Sequence, residues 1–569
     1  MQNVASVTPS LRMMRCAAVL FFCTTSFFAV AWGRTHLPSP DETANAFFIR
    51  QYVQTGSFRV AEPLNVVAED IVHPRAVQIV QHDLAPGSFL GMLLLYGWIA
   101  KIVGLWIVPL LTPIFATIAS FFFYKLIRLI FDERIARWSF FLLLIHPAWI
   151  YYTARSMFPN VLFLSLLIIG IYYLVKCQMS NVKCFLASLL IGLALTVRTS
   201  EAPWVLGELF LLYFLFLRKI RQNREKLHYT ELVPRYQFGI MRFLVFLVGL
   251  VIAFLPIFYY NNDLYGHPFY NGYSQIDSEA VPAAFAWHFQ SRFLSTIFSL
   301  ILPFGIKPFV LLQNAYQYLV WFFWWFAIPS ILGIVFGIRH NHQHIPLNPT
   351  LPPLTLRGGE EGLWERGLCM FLSFYVFMLT WLLLYYGSWQ FRDSTLLGAT
   401  LGTSFTRYWL PVFVFGIPFA VYALRTLRKK FLRDGAILVM ILFSLLTVLW
   451  RGDESLFALR RTALAGNAVT ALLRARTESN AVILTERSDK LFFPERRVIF
   501  NDPLDQAKID RVIAKLVRRV PVYYFTELEK HDIDFMNEQC LAQYGVAWKG
   551  REEIRGQRLY TLEAVSSKQ

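Results

Sequence analysis

SFLGMLLLYGWIAKIVGL, residues 88–105, is an almost wholly apolar stretch of eighteen residues. At about 1.5 Å of helical rise per residue it is just long enough to cross a hydrocarbon core of about 30 Å. Whether it crosses decides on which side of a membrane every later loop falls. Counted as a span, it puts Lys125, Arg128, Arg134 and Arg137 outside, against the tendency of Lys and Arg to collect on the cytoplasmic side. Left out of the bilayer, it reads as an amphipathic or re-entrant helix at the outer interface.

With that stretch set aside, eleven apolar runs remain, at about 14–33, 106–124, 138–153, 159–175, 184–197, 203–217, 243–260, 317–338, 368–387, 407–424 and 435–450. Starting with Arg12 and Arg15 inside, the inner segments carry a net charge of +15, the outer segments sum to zero, and the region after Trp450 carries +3. Together with Glu208 inside the sixth run, these account for the whole net charge of +17 on 569 residues. The basic balance therefore labels topology, and no nucleic-acid partner is needed to explain it. A chain that is 56% hydrophobic and 16% charged also lacks the polar surface of a cytosolic enzyme or a disordered chain.

The expected fold is mainly α: a polytopic membrane domain of about eleven helices over residues 1–450, then an extracytoplasmic α/β domain over 451–569. The last 119 residues return to a soluble composition, with a helical stretch near 455–478 and strand-like runs at 481–485, 496–500, 520–526 and 558–563. Helical spacing of Leu504, Ile509, Ile513 and Leu516 marks 503–519. No phosphate-cradling glycine motif occurs in this region, which favours binding or packing over catalysis there. Ala29-Val30-Ala31 imitates a signal-peptidase site, but an uncleaved anchor is expected, with the N-terminus cytoplasmic. Only Cys540 of the six cysteines falls in the outer domain, so no internal disulfide is expected there.

The first outer loop, 34–105, opens with LPSPDETANAFFIRQYVQTGSF (37–58). Pro38 and Pro40 stop a helix, and Asp41 sits where the next begins. Asp41 is either a helix cap in a favourable macrodipole or a general base held at the outer membrane face; position alone does not choose between them.

In order and sidedness, residues 12 to about 425 resemble the GT-C superfamily of integral-membrane glycosyltransferases. The branch with protein O-mannosyltransferases and lipid A aminoarabinose transferases is the most similar. In that family an acidic residue, often in a DE pair, opens the first outer loop; Asp41-Glu42 matches it. APGSFLGMLLLYGWIAKIVG (85–104) resembles the family's proline-glycine segment and interfacial helix. YYTARSMFPN (151–160) resembles the short second outer loop, and GLALTVRTSEAP (192–203), YYNNDLYGHPFYNGY (259–273) and TRYWLPVF (406–413) resemble further segments.

The resemblance implies transfer of a sugar from a polyprenyl-phosphate donor to an extracytoplasmic acceptor, which is a protein, glycan or lipid. It implies an inverting displacement with Asp41 as base and Glu42 orienting it or the sugar. Such a reaction needs cations for the departing phosphate, and Arg155, Arg198 and Arg407 lie beside membrane boundaries on the outer side, with Arg75 and His82 as further loop candidates. Interfacial snorkelling, or pairing with Glu201 or Asp393, is the plainer role for these arginines. Tyr259, Tyr265, Tyr273 and Asn160 are substrate-contact candidates, although interfacial tyrosines ordinarily anchor in the aromatic belt.

Gln81-His82-Asp83 stands where many relatives carry a lysine, and Asn160 where they often carry an acid. Metal-independent chemistry without a cofactor is therefore expected, a divalent ion being the less favoured alternative. The run His340, His342 and His344 reads as a solvated inner loop rather than a metal site. The competing functions are a transporter or flippase, which eleven spans and a buried Glu208 permit, and a non-catalytic scaffold. The expected location is the plasma membrane of a bacterial or archaeal cell.

Overall fold

The computed structural model describes residues 9–31, 37–176, 180–211, 229–274, 302–343, 360–390, 399–502 and 505–565. Asp393, His344 and Leu504, and the side chains of His340 and His342, fall outside them. The chain is an integral membrane protein. Five helices among the described residues are long and apolar enough to cross a bilayer: Leu11–Val30, Leu105–Ile130, Met241–Tyr265, Leu368–Tyr386 and Lys430–Leu449. The count rises to eight if three bent pairs each form one span, and this is the main departure from the eleven runs.

The bends have local causes. Pro147–Ala154 and Pro159–Val175 meet at 115°, because Pro159 cannot continue a helix from Arg155. Asn181–Val197 and Thr199–Leu211 meet at 116°, at extended Arg198. Pro308–Trp321 and Trp324–Arg339 meet at 97°. Residues 138–153 are likewise split, by Pro147, into Glu133–Ile145 and Pro147–Ala154. The breaks before Pro159 and at Arg198 fall between apolar runs of the sequence, whereas those at Pro147 and between Trp321 and Trp324 fall inside runs, where apolar composition alone does not register them.

In chain order, α1 is Leu11–Ala31, α2 Pro40–Thr55, α3 Leu90–Val103, α4 Val108–Ile130, α5 Glu133–Ile145, α6 Pro147–Ala154, α7 Pro159–Val175 and α8 Asn181–Val197. The stretch that opened the sequence reading is α3, a separate short apolar helix. It packs on α2 through Tyr52, whose hydroxyl accepts from Trp98 Nε1 at 2.9 Å and whose ring lies 4.0 Å from Lys101 Nζ. Gly97 makes room for that ring, since a Cβ there would lie 2.6 Å from Tyr52 Cδ1. Gly91 brings α3 against the end of α8, where a Cβ would meet the Thr196 carbonyl carbon at 2.3 Å. The far end of α3 exposes Ile102, and Trp106 in the turn that follows is exposed as well.

Between α2 and α3, β1 (Val77–Val80) and β2 (Asp83–Pro86) form a hairpin. Its two-residue turn is Gln81-His82, both at positive φ.

The C-terminal region carries β3 (Val482–Thr485), β4 (Arg497–Phe500), β5 (Val522–Thr526), β6 (Val546–Ile554) and β7 (Gln557–Ala564), in the order β4-β3-β5-β7-β6. The first three are parallel and the last two antiparallel. Four of these strands coincide with the runs read from sequence. β6 (VAWKGREEI) carries too many charges and a glycine to show as a run. One sheet face, with Val482, Leu484 and Tyr524, packs on helix Gln506–Leu516 and also on Ala68 and Val72 of the first loop. The loop thus contributes to the core of the sheet domain. Burying Val72 contributes about 2 kcal/mol.

Candidate active site

The site is built around the first turn of α2. Ser39 is the N-cap, accepting from the Glu42 amide at 3.3 Å, and Pro40 occupies the first helical position, where its missing N–H costs nothing. Capping therefore falls to Ser39, two residues before the position considered in the sequence, and Asp41 is released from it. Asp41 keeps 45% of its side chain exposed, while Glu42, one residue on, keeps 1%.

The two carboxylates have different partners. Arg407 Nη1 donates to Asp41 Oδ2 at 2.8 Å, and Arg407 Nη2 to Ser404 Oγ at 3.1 Å. Glu42 Oε2 forms a buried ion pair with Arg155, whose Nε lies at 3.1 Å and whose Nη1 donates to Tyr151 at 2.9 Å. Glu42 Oε1 and Arg407 Nε are buried without a hydrogen-bond partner among the described residues. Asn160, at the start of α7, donates to the Arg407 carbonyl at 3.0 Å, so it acts on the site through Arg407.

Arg198 is held by Glu201 at 2.7 Å and donates to Tyr386 at 3.0 Å; Trp204 Nε1 takes the other Glu201 oxygen at 2.6 Å. The arginine pairing with Glu201 considered from sequence is thus present. Tyr408 links this cluster to the first: the Arg198 and Arg407 guanidiniums lie 5.0 Å and 5.2 Å from its ring centre, and Tyr386 stacks on it at 4.6 Å. Tyr273 lies within electrostatic reach of Tyr408, Asp41, Arg407 and Arg198, yet its ring is 44% exposed. Asp41 and Tyr273 are the exposed members of this group, and Arg198 is buried behind them. The 85–88 segment is fixed beside this group, with the Tyr265 hydroxyl donating to the Pro86 carbonyl at 2.6 Å and Ser88 Oγ donating to Asn45 Oδ1 at 3.0 Å.

Three sequence candidates stand elsewhere. Arg75 is committed to the C-terminal domain, with Nη2 donating to Asp489 Oδ1 at 2.7 Å and to the Arg487 carbonyl at 2.9 Å. His82 sits in the hairpin turn, with Nδ1 2.8 Å from Asp70. Tyr259 lies on an outer helix face, 68% exposed. Arg155 and Arg198 stand close by, but their guanidiniums are occupied by the buried Glu42 and Glu201, which leaves Arg407 as the candidate arginine beside the exposed Asp41.

Two contributors were not found from sequence. Tyr408 adjoins Arg407 in a segment already singled out, so its neighbourhood was the signal. Lys490 had none: it comes from the C-terminal domain, and its Nζ donates to the Pro38 carbonyl at 2.7 Å. Among the described residues no three His, Cys, Asp or Glu side chains are grouped to hold a metal ion.

Residues 92–234 match the family model described as dolichyl-phosphate-mannose-protein mannosyltransferase. This agrees with the GT-C resemblance read from the sequence. No curated protein matches the chain. Among solved structures, ArnT from Cupriavidus metallidurans bound to undecaprenyl phosphate is similar at 12% identity and a TM-score of 0.49, covering 98% of this chain and 99% of that one. The Archaeoglobus fulgidus oligosaccharyltransferase in the apo form has the same identity and TM-score, covering 98% of this chain and 75% of that one. The archaeal oligosaccharyltransferase AglB, from the same organism and in complex with an inhibitory peptide and a dolichol-phosphate, is 12% identical with a TM-score of 0.46, covering 97% of this chain and 74% of that one.

Proposed function

We propose that this chain moves a sugar from a polyprenyl-phosphate donor to a hydroxyl-bearing extracytoplasmic acceptor, with inversion and with Asp41 as general base. The observation that carries the reading is the contrast within one helical turn: Glu42 is buried and locked to Arg155, while Asp41 stands half-exposed beside a single arginine. A structural acid needs the first environment and a base the second. The matched family, by its description, uses a dolichyl-phosphate mannose, which supports a lipid-phosphate donor.

In this mechanism the acceptor oxygen attacks the anomeric carbon as the bond from that carbon to the phosphate oxygen breaks. The hydroxyl proton passes to Asp41, and the lipid phosphate leaves with the bonding electron pair. Arg407 changes partner: without donor it pairs with Asp41, and an arriving phosphate competes for its fork, freeing the carboxylate to accept a proton. Its unpartnered Nε is a further donor for that anion. Tyr273 offers aromatic surface for the sugar, while Tyr408, stacked on by Tyr386, lies between Arg407 and Arg198 and holds the two apart. Glu42 holds the turn and takes no proton. With Arg12 and Arg15 inside, the site faces outward.

The test is release of lipid phosphate from polyprenyl-phosphate sugars by purified protein in detergent. Wild type should consume donor in the presence of an acceptor. Absence of consumption across hexosyl and pentosyl donors, together with solute uptake in proteoliposomes, would replace this reading by transport.

A further inference from the structure

The turn that presents Asp41 has little backbone to anchor it. Pro38 and Pro40 carry no N–H, so the segment relies on the Ser39 cap, on the Thr43 hydroxyl donating to the Ser39 carbonyl at 3.0 Å, and on whatever takes the Pro38 carbonyl. That carbonyl is taken by Lys490, from the short helix Asp489–Phe492 that follows β3. The two elements meet along a tight seam with no room for a water molecule, lined by Pro40, Thr43 and Ala44 on one side and Asp489, Lys490 and Phe493 on the other.

Lys490 is brought there by a series of contacts between the first loop and the sheet domain. Asp489, with a fully buried side chain, receives Arg75; Glu62 receives Arg497 Nε at 2.8 Å; Glu69 receives Lys515 at 2.8 Å and Arg511 at 2.5 Å. Phe47 of α2 meets Phe493 with ring centres 4.7 Å apart. Around the ammonium stand two cations, Arg75 and Arg155, and two carboxylates, Asp489 and Glu42. Burial first, then Arg75 and Arg155, lower its pKa, so holding a charge there has a cost that a purely surface lysine would not bear.

We infer that Lys490 is a positioning residue of the membrane-domain site: by holding the Pro38 carbonyl it fixes the turn that aims Asp41, which makes the C-terminal domain one wall of the active site. The inference rests on the transferase reading for its catalytic consequence. Its structural content stands apart from that reading.

The test uses the full chain in detergent with Lys490→Met, Lys490→Arg and Arg497→Met, read by amide hydrogen exchange over residues 41–47 and by donor turnover. Lys490→Met is expected to speed exchange of that segment about tenfold and to lower kcat about tenfold with donor KM within about twofold, the pattern of a displaced catalytic group. Lys490→Arg should return both to within about threefold of wild type. Arg497→Met, which cuts a docking contact away from Pro38, should leave both within about twofold. Unchanged exchange or unchanged kcat in Lys490→Met overturns the inference, as does an equal loss in Arg497→Met, which would make Lys490 one docking contact among several. If wild type releases no lipid phosphate, the transferase reading falls, and the exchange comparison still decides whether Lys490 holds the turn.

Discussion

Arg155→Met should be among the most destabilising single changes around the first turn of α2. Glu42 keeps 1% of its side chain exposed and Arg155 6%, and the carboxylate draws both of its charge-assisted contacts from that one guanidinium. Its other oxygen has no partner among the described residues. Removing the arginine leaves a buried charge uncompensated, which costs about 3–5 kcal/mol. Replacing both charges, as Arg155→Met with Glu42→Gln, removes the pair without orphaning either member and should cost only about 0–2 kcal/mol. Glu42→Gln alone orphans Arg155 in the same way and should also cost about 3–5 kcal/mol, so the double-mutant cycle should return a coupling of about 4 kcal/mol or more. Denaturant titration in detergent, followed by near-UV circular dichroism, measures all four corners. A single-mutant cost below about 1 kcal/mol, or strictly additive losses, would refute the claim that Glu42 is a locked structural acid.

Three further outcomes follow from the geometry. Gly91→Ala drives a Cβ into the Thr196 backbone and should cost about 1–3 kcal/mol by melting in detergent, because neither α3 nor α8 has a side chain to move aside. Glu69 is held at a pKa of about 2, chiefly by its hydrogen bonds to Lys515 and then Arg511. A carboxylate depressed on folding contributes stability that is present above its unfolded value near 4.5 and is lost as pH falls toward 2; Glu69→Gln should flatten the thermal stability profile in that window. Asn160→Ala removes the donor to the Arg407 carbonyl and should lower kcat about tenfold in the donor assay, with melting shifted little.

The membrane architecture was legible because hydropathy and charge sidedness are properties of composition. They located the apolar helices, and the break of α8 at Arg198 falls within a segment singled out from sequence. The break before Pro159 falls between two of the apolar runs, whereas those at Pro147 and between Trp321 and Trp324 fall inside runs, where hydropathy stays high across the bend. Asp41-Glu42 was readable as a pair, but the division of labour between the two was not. It depends on Arg155 and Arg407, which lie far off in sequence and reach α2 only through the packing of α6 and α7. Charge patterning grouped the arginine candidates without separating them; Arg75 pairs with Asp489 of the C-terminal region, whereas Arg407 pairs with Asp41. Lys490 carried no sequence signal because its role requires the first loop to enter the core of the C-terminal sheet region.

The most direct measurement is release of polyprenyl phosphate from a lipid-linked sugar by wild type and by Asp41→Asn, at matched expression and with melting curves recorded alongside. Asn keeps the volume and can still contact Arg407, so the fold should be unchanged while the proton acceptor is gone. Turnover should fall by about 10²–10⁴, the usual contribution of general base catalysis. A turnover within about threefold of wild type would contradict Asp41 as the base and, with it, the mechanism built on the turn between Ser39 and Glu42.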